Sequence, residues 1–208
     1  NAGADAYNIA IGHSAGANIS TGVRNTLVGG LAGDALTTGS YNTAVGYSAL
    51  STEDGDGRTT AIGYNALAAQ NAGSDAYNVA VGFQAGDSVS TGTLNTLIGG
   101  DAGGALTTGN RNVAVGYEAL LTEDTGARNT AVGEGSLRLL NYDGNGYNVA
   151  VGYDAGTTLS TGVNNTLIGS VAGDALTTGT NNVAVGYGAL GSEDTGGQNV
   201  AIGVNALN

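Results

Sequence analysis

The sequence contains no cysteine, proline, methionine, tryptophan or lysine, and only one histidine and one phenylalanine. Each absence removes a class of answer. Without cysteine there are no disulfides and no thiolate metal sites, a pattern compatible with the outside of a cell or a virion. Without lysine, the many Gly-x-x-Gly segments do not read as phosphate loops. A single histidine leaves almost no room for a Ser-His-Asp or Cys-His arrangement. Positive charge is scarce too: five arginines face 17 acidic residues, a net charge of −12. Nucleic-acid binding needs clustered Lys and Arg, so a phosphate backbone is excluded as partner. Docking on anionic lipid is disfavoured for the same reason, and the like charge keeps such chains from clumping. No apolar run approaches the roughly 20 residues of a membrane span, so no membrane insertion is expected in this segment. Neither a signal peptide nor an initiator methionine is present, which suggests a mature product or a piece of something longer.

What the chain has in excess is glycine, 39 residues of 208, beside a hydrophobic fraction of 41%. Disordered glycine-rich segments lack such apolar content, and the glycines do not recur every third residue as in collagen. They belong to a repeat. A unit Asn-x-[Ala/Leu]-[Val/Ile]-Gly-x-x-Ala-[Gly/Leu] begins at Asn8, Asn25, Asn42, Asn78, Asn95, Asn112, Asn129, Asn148, Asn165, Asn182 and Asn199, and once with Thr59 in place of Asn; Ser136 once replaces the eighth-position Ala. The steps run 17, 17, 17, 19, so twelve units fall into blocks of 70 residues: 1–70, 71–140 and 141–208. The whole chain is therefore one repeat domain, with the block length suggesting an excerpt from a longer fibrous array.

Val or Ile always fills the fourth position and Gly the fifth, as in Val45-Gly46, Val115-Gly116 and Val185-Gly186. Mid-unit glycine beside β-branched residues opposes a helix and suits a short strand. Thr-Gly, Asp-Gly and Ser-Thr-Gly then supply turn chemistry. The spacing predicts an all-β fold, a parallel β-solenoid or β-roll of about twelve 17-residue coils. Each coil would carry a strand of about five residues, a second short strand, and two turns. Stacking at about 4.8 Å makes a rod of roughly 55 Å. In this reading the fourth-position Val and Ile line the core, with Ala at position eight facing them. Asn stacks on Asn, with amides hydrogen-bonded along the axis, and Gly at position five permits close backbone approach. The two extra residues in each 19-residue step are expected to protrude as a loop. Positions one, three and five then make a second, small and partly apolar face that needs a cover. Symmetric self-association, most simply a three-fold bundle of rods, would provide it.

Few residues suggest chemistry. His13 stands at position six, where other units have rings, and reads as a ring in a stack. Tyr47, Tyr117 and Tyr187 recur at that position with the block period. They read as packing or rim residues, and are also the candidates for surface recognition, since aromatic rings stack on sugars. The acidic turn Glu53-Asp54-Gly55-Asp56, its equivalents at Glu123-Asp124 and Glu193-Asp194, and Asp143-Gly144-Asn145 read as solvated turns. Calcium, which takes six to eight oxygens, is the only candidate cofactor, and no calcium-loop motif is present. No catalytic constellation interrupts the repeat, so an enzyme is not expected.

Asn8-Ile9-Ala10-Ile11-Gly12, Thr60-Ala61-Ile62-Gly63 and Val200-Ala201-Ile202-Gly203 resemble the head repeats of trimeric autotransporter adhesins of the YadA type. Asn42 to Leu50 resembles the Asn-Thr-Ala-Val-Gly-Tyr-x-Ala-Leu arrays of phage tail-fibre-like proteins. The resemblance covers essentially the whole chain. It implies a left-handed roll, a homotrimer, and a place on a bacterial surface or a virion. The function so implied is a structural or adhesive fibre segment presenting a host- or surface-binding face to a glycan or protein. Two alternatives come from the repeat itself: a self-assembling extracellular filament or sheath, and an ice-binding solenoid.

Overall fold

In the computed structural model, which describes residues 5–55, 57–192 and 194–208, every unit forms one coil of a parallel β-solenoid. The strands are β1 (Ile9–Ile11), β2 (Thr26–Val28), β3 (Thr43–Val45), β4 (Thr60–Ile62), β5 (Val79–Val81), β6 (Thr96–Ile98), β7 (Val113–Val115), β8 (Thr130–Val132), β9 (Val149–Val151), β10 (Thr166–Ile168), β11 (Val183–Val185) and β12 (Val200–Ile202). They lie in sequence order in a single sheet. Each pairs in register with the next, for example Thr96 with Val113, Leu97 with Ala114 and Ile98 with Val115.

Each strand is three residues long, not five, and among the described residues no second strand forms on the return. The reason lies in the backbone. The seventh-position residues Ser14, Ser48 and Glu118, and the ninth-position residues Leu50 and Leu120, take φ between 52° and 56°. Left-handed residues break extended pairing, yet the return leg still bonds from coil to coil. The Gly33 N–H donates to the Ala49 carbonyl at 2.9 Å, and that of Leu50 to the Ala66 carbonyl at 3.0 Å.

The core is narrow and is filled by complementary sizes. Leu27, Leu97 and Leu167 at position three accompany Gly33, Gly103 and Gly173 at position nine; a Cβ on Gly103 would stand 2.8 Å from Leu97 Cδ2. Ala44, Ala61, Ala114, Ala131 and Ala184 instead accompany Leu50, Leu67, Leu120, Leu137 and Leu190, all buried. A left-handed leucine costs about 1–2 kcal/mol, which burial of its side chain, worth about 1.5–3 kcal/mol, offsets.

The expected facing of the strand is reversed. Positions one and three point inward, where Asn112 and Ala114 are fully buried; positions two and four point outward, so Val45, Val115 and Val185 are only half-buried on the surface. Asparagine dictates this parity. The Asn112 side chain accepts the Asn129 N–H at 2.9 Å and donates to the Gly126 carbonyl at 2.8 Å. Those turn and strand groups lie inside the coil and would otherwise be buried unpaired. Once position one is inside, alternation puts position three inside and positions two and four outside. The Asn ladder therefore runs mainly through backbone, with amide-to-amide bonds in later coils, such as Asn182 to Asn165 at 3.1 Å. The expected core role of Ala119, at position eight, is seen: it is fully buried. Gly116 has φ of 140°, and a Cβ there would lie 2.5 Å from the Gly133 carbonyl carbon. Close approach of coils is thus the reason for glycine at position five. The residues added at the two longer steps, around 71–75 and 141–145, lie in largely exposed loops.

Candidate interaction surfaces

With positions two and four outward, the sheet presents two columns of β-branched residues along its full length. In the fourth-position column Ile98 is 38% exposed and Ile168 39%. The second-position column mixes threonine with valine and one isoleucine, as in Thr96, Val113 and Thr130. Parallel strands that are apolar on both faces are normally covered on both. Here the inner face is covered by the chain's own return leg, and the outer face is not.

Two edges flank this face. The first is formed by the residue just before the first position of each unit, held at positive φ in every coil, from Tyr7 at 50° to Gln198 at 63°. It carries Tyr7, Arg24, Tyr41, Arg58, Tyr77, Arg111, Arg128 and Tyr147, four of the five arginines and no acid. Arg24 lies 5.3 Å from the Tyr41 ring centroid, and Arg58 lies 5.3 Å from Tyr41 and 5.7 Å from Tyr77. Arg128 sits 5.5 Å over Tyr147 and donates to its hydroxyl at 2.5 Å. Arg58 also pairs with Asp75. Among the described residues Arg111 has no ring or ion-pair partner. This ladder was missed from the sequence, although listing the residue before each Asn would have found it.

The second edge holds positions six and seven. Tyr47, Tyr64 and Phe83 form a continuous stack with centroids 5.7 and 5.3 Å apart. Tyr117 instead leans over Gly100, whose Cβ would meet its ring carbon at 3.3 Å. Tyr47, Tyr117 and Tyr187 are each about half exposed, as expected for surface candidates. They are separate from one another, and only Tyr47 joins the stack. His13 is exposed and near the Ser14 hydroxyl, at 3.3 Å; ring stacking, among the described residues, does not reach it.

Further along this edge the side chains turn acidic: Asp101, Glu118, Glu134 and Asp154 occupy coils six to nine. The field shows in their ionisation. Partial burial, then the charges of Asp87 and Glu118, raise the Asp101 carboxyl above its ordinary value. A hydrogen bond to Glu118 and that carboxylate's charge raise the Tyr117 phenol. Asp154 does the same to Tyr153. Glu118, Glu134, Arg138, Tyr153 and Asp154 help line a depression of about 320 Å³, with Arg138 and Glu118 paired at 3.3 Å.

The acidic turns are not what their composition suggests. Glu53 and Glu123 are fully buried, at the inward position where other coils have Leu36 or Leu106. Glu53 accepts from Gln70 at 3.1 Å, and Gln70 accepts from Asn78 at 2.8 Å while donating to Thr59 at 3.0 Å. That network stands where Thr59 interrupts the Asn ladder. Glu123 instead accepts the backbone N–H groups of Gly126 at 2.7 Å and Tyr142 at 3.3 Å. Desolvation raises its carboxyl above the ordinary value of 4.5. Asp56 and Glu193 lie outside the described residues. Among the described residues no group of three His, Cys, Asp or Glu side chains could hold a metal ion. Among them, too, no helix is long and apolar enough to cross a membrane.

No family model, curated protein or solved structure matches the chain. The functional reading therefore rests on its own surfaces.

Proposed function

We propose that the chain is a non-enzymatic structural segment of an extracellular fibre, a rod that associates with copies of itself through its outer sheet face. The observation that carries this is the unbroken strip of outward Thr, Val and Ile. Eleven steps of ~4.8 Å make it about 50 Å long, and at roughly 12 Å wide it covers ~600 Å². Stable interfaces contribute about 800 Å² per partner, so the strip and its two edges together reach the right order. A three-fold bundle, with three sheet faces meeting on one axis, covers all the strips and leaves the acidic return legs to solvent. A left-handed roll in three 70-residue blocks is the form that the resemblance to adhesin heads and phage fibres favours. The exposed aromatic edge is then the part free to meet a glycan or protein on a host or other surface. Sedimentation equilibrium tests the assembly: a mass of three chains is expected, and a monomer at micromolar concentration would contradict it.

The outward facing also favours a second reading. Six of the twelve second-position residues are threonine, and they now stand on a flat, regular, exposed sheet of the kind an ice-binding solenoid needs. A monomer showing thermal hysteresis would support it; a trimer without thermal hysteresis would remove it.

A further inference from the structure

We infer that the two edges of the sheet face direct its self-association: rods pack co-directionally, with Arg111 and Arg128 of one copy against Glu118 and Glu134 of the next. This rests on the reading that the outer face binds a second copy. The first edge, just before the strands, carries arginine and tyrosine, with Asp75 paired to Arg58; the second, just after them, carries carboxylates in the middle of the rod, with Arg138 among them. Coil seven supplies both Arg111 and Glu118, and coil eight both Arg128 and Glu134.

Symmetry then does the selection. When rods run in the same direction about an axis along their length, the first edge of each lies beside the second edge of its neighbour. Equal coils stand at equal height, so arginine meets glutamate twice. When two rods run in opposite directions face to face, each edge meets its own kind, arginine beside arginine and carboxylate beside carboxylate. Like charges across an interface suppress that arrangement, while complementary ones fix register. Among the described residues Glu118 alone of these four charges is in an ion pair, with the exposed Arg138 at 3.3 Å. Arg111 has no ring or ion-pair partner among the described residues, and Arg128 is held over Tyr147 rather than by a carboxylate. On the opposite edge, partial burial and then the charges of Asp87 and Glu118 raise the Asp101 carboxyl, and a hydrogen bond to Glu118 and then its charge raise the Tyr117 phenol.

The chain has no cysteine, so introduced thiols report contacts without background. A chain carrying both Arg111→Cys and Glu118→Cys is expected to oxidise into covalently linked oligomers, while Arg111→Cys alone and Glu118→Cys alone stay unlinked. Positions 111 and 118 flank β7, on the order of 15 Å apart at ~3.3 Å per residue, so they cannot join within one chain. Charge reversal gives a second readout on the intact protein. R111E/R128E and E118R/E134R should each weaken association about 10- to 100-fold at low salt, and the four changes together should return it to within about 3-fold of wild type. Linking by Arg111→Cys alone, or no rescue in the fourfold variant, overturns the co-directional arrangement and leaves self-association standing. A wild-type chain that sediments as a monomer overturns both.

Discussion

Ala114 and Val115 are neighbours on one three-residue strand, yet they stand in different worlds. The inner row of which Ala114 is part varies in size, Leu against Gly and Ala against Leu, and where Ala meets Gly the leucines of adjacent coils fill the space, as Leu97 and Leu67 do beside Gly86. The outer row of which Val115 is part hardly varies in shape, being Val or Ile at every fourth position. Inside, the inner row is served within the chain, by asparagine amides and leucines. Outside, a uniform β-branched surface meets nothing that the chain itself provides. Variation goes here with packing completed inside the chain, and uniformity with a surface that the chain itself leaves uncovered.

Substitutions that should separate the two rows differ widely in expected effect. The largest belongs to the inner backbone. Gly116→Ala places a Cβ 2.5 Å from the Gly133 carbonyl carbon at φ of 140°. A loss of at least about 4 kcal/mol, or of folding altogether, is expected in urea denaturation. Next comes the size match. Leu97→Ala should cost about 3 kcal/mol by the same assay. Adding Gly103→Leu should recover part of it, because that pair reproduces the Ala-and-Leu pattern of coils three, four and seven; a further loss would break the idea of compensation. Asn112→Ala strands the Asn129 N–H and the Gly126 carbonyl, and about 2 kcal/mol is expected from two buried groups left unpaired.

Glu123 has a smaller effect, read best through pH. Its folded carboxyl titrates above 4.5 because burial disfavours the charge, so the folded state takes up a proton before the unfolded chain does. Its contribution to stability is greatest below 4.5 and is lost as pH rises through the folded value. Melting temperature should therefore climb as pH falls from neutrality toward 4.5, and Glu123→Gln should flatten that slope while changing stability at pH 7 by about 1 kcal/mol or less. A slope unchanged in the variant would show that Glu123 does not titrate in this window. Asp101 and Asp174 are shifted the same way by burial, and would supply what slope remains.

The coil length, the parallel stacking and the role of fifth-position glycine were all legible in the sequence, because a period of 17 with glycine at one phase leaves few other folds. The facing of the strand was not. Hydrophobicity alone sends Val115 inward and leaves Ala114 outside. The cost of unpaired backbone in the turn sends Asn112 inward, and parity carries Ala114 with it. The buried glutamates were hidden for a related reason. Glu53 and Glu123 sit beside aspartates in turn-like text, and only the column shared with Leu36 and Leu106 shows that they point to the core. The Arg and Tyr ladder was legible in principle, since it always precedes the first position of a unit, but its charge is invisible in a chain whose total is so negative.

The outer row bears the central claim, and its test has the smallest expected effect on the fold and the largest on assembly. Val113→Asp with Val115→Asp puts two carboxylates on the strip without touching Ala114. Measured by sedimentation equilibrium beside far-ultraviolet circular dichroism, the variant should keep the wild-type β spectrum and fall from three chains to one. A variant that remains assembled, or one that loses its β structure as an inner-row substitution would, contradicts the account.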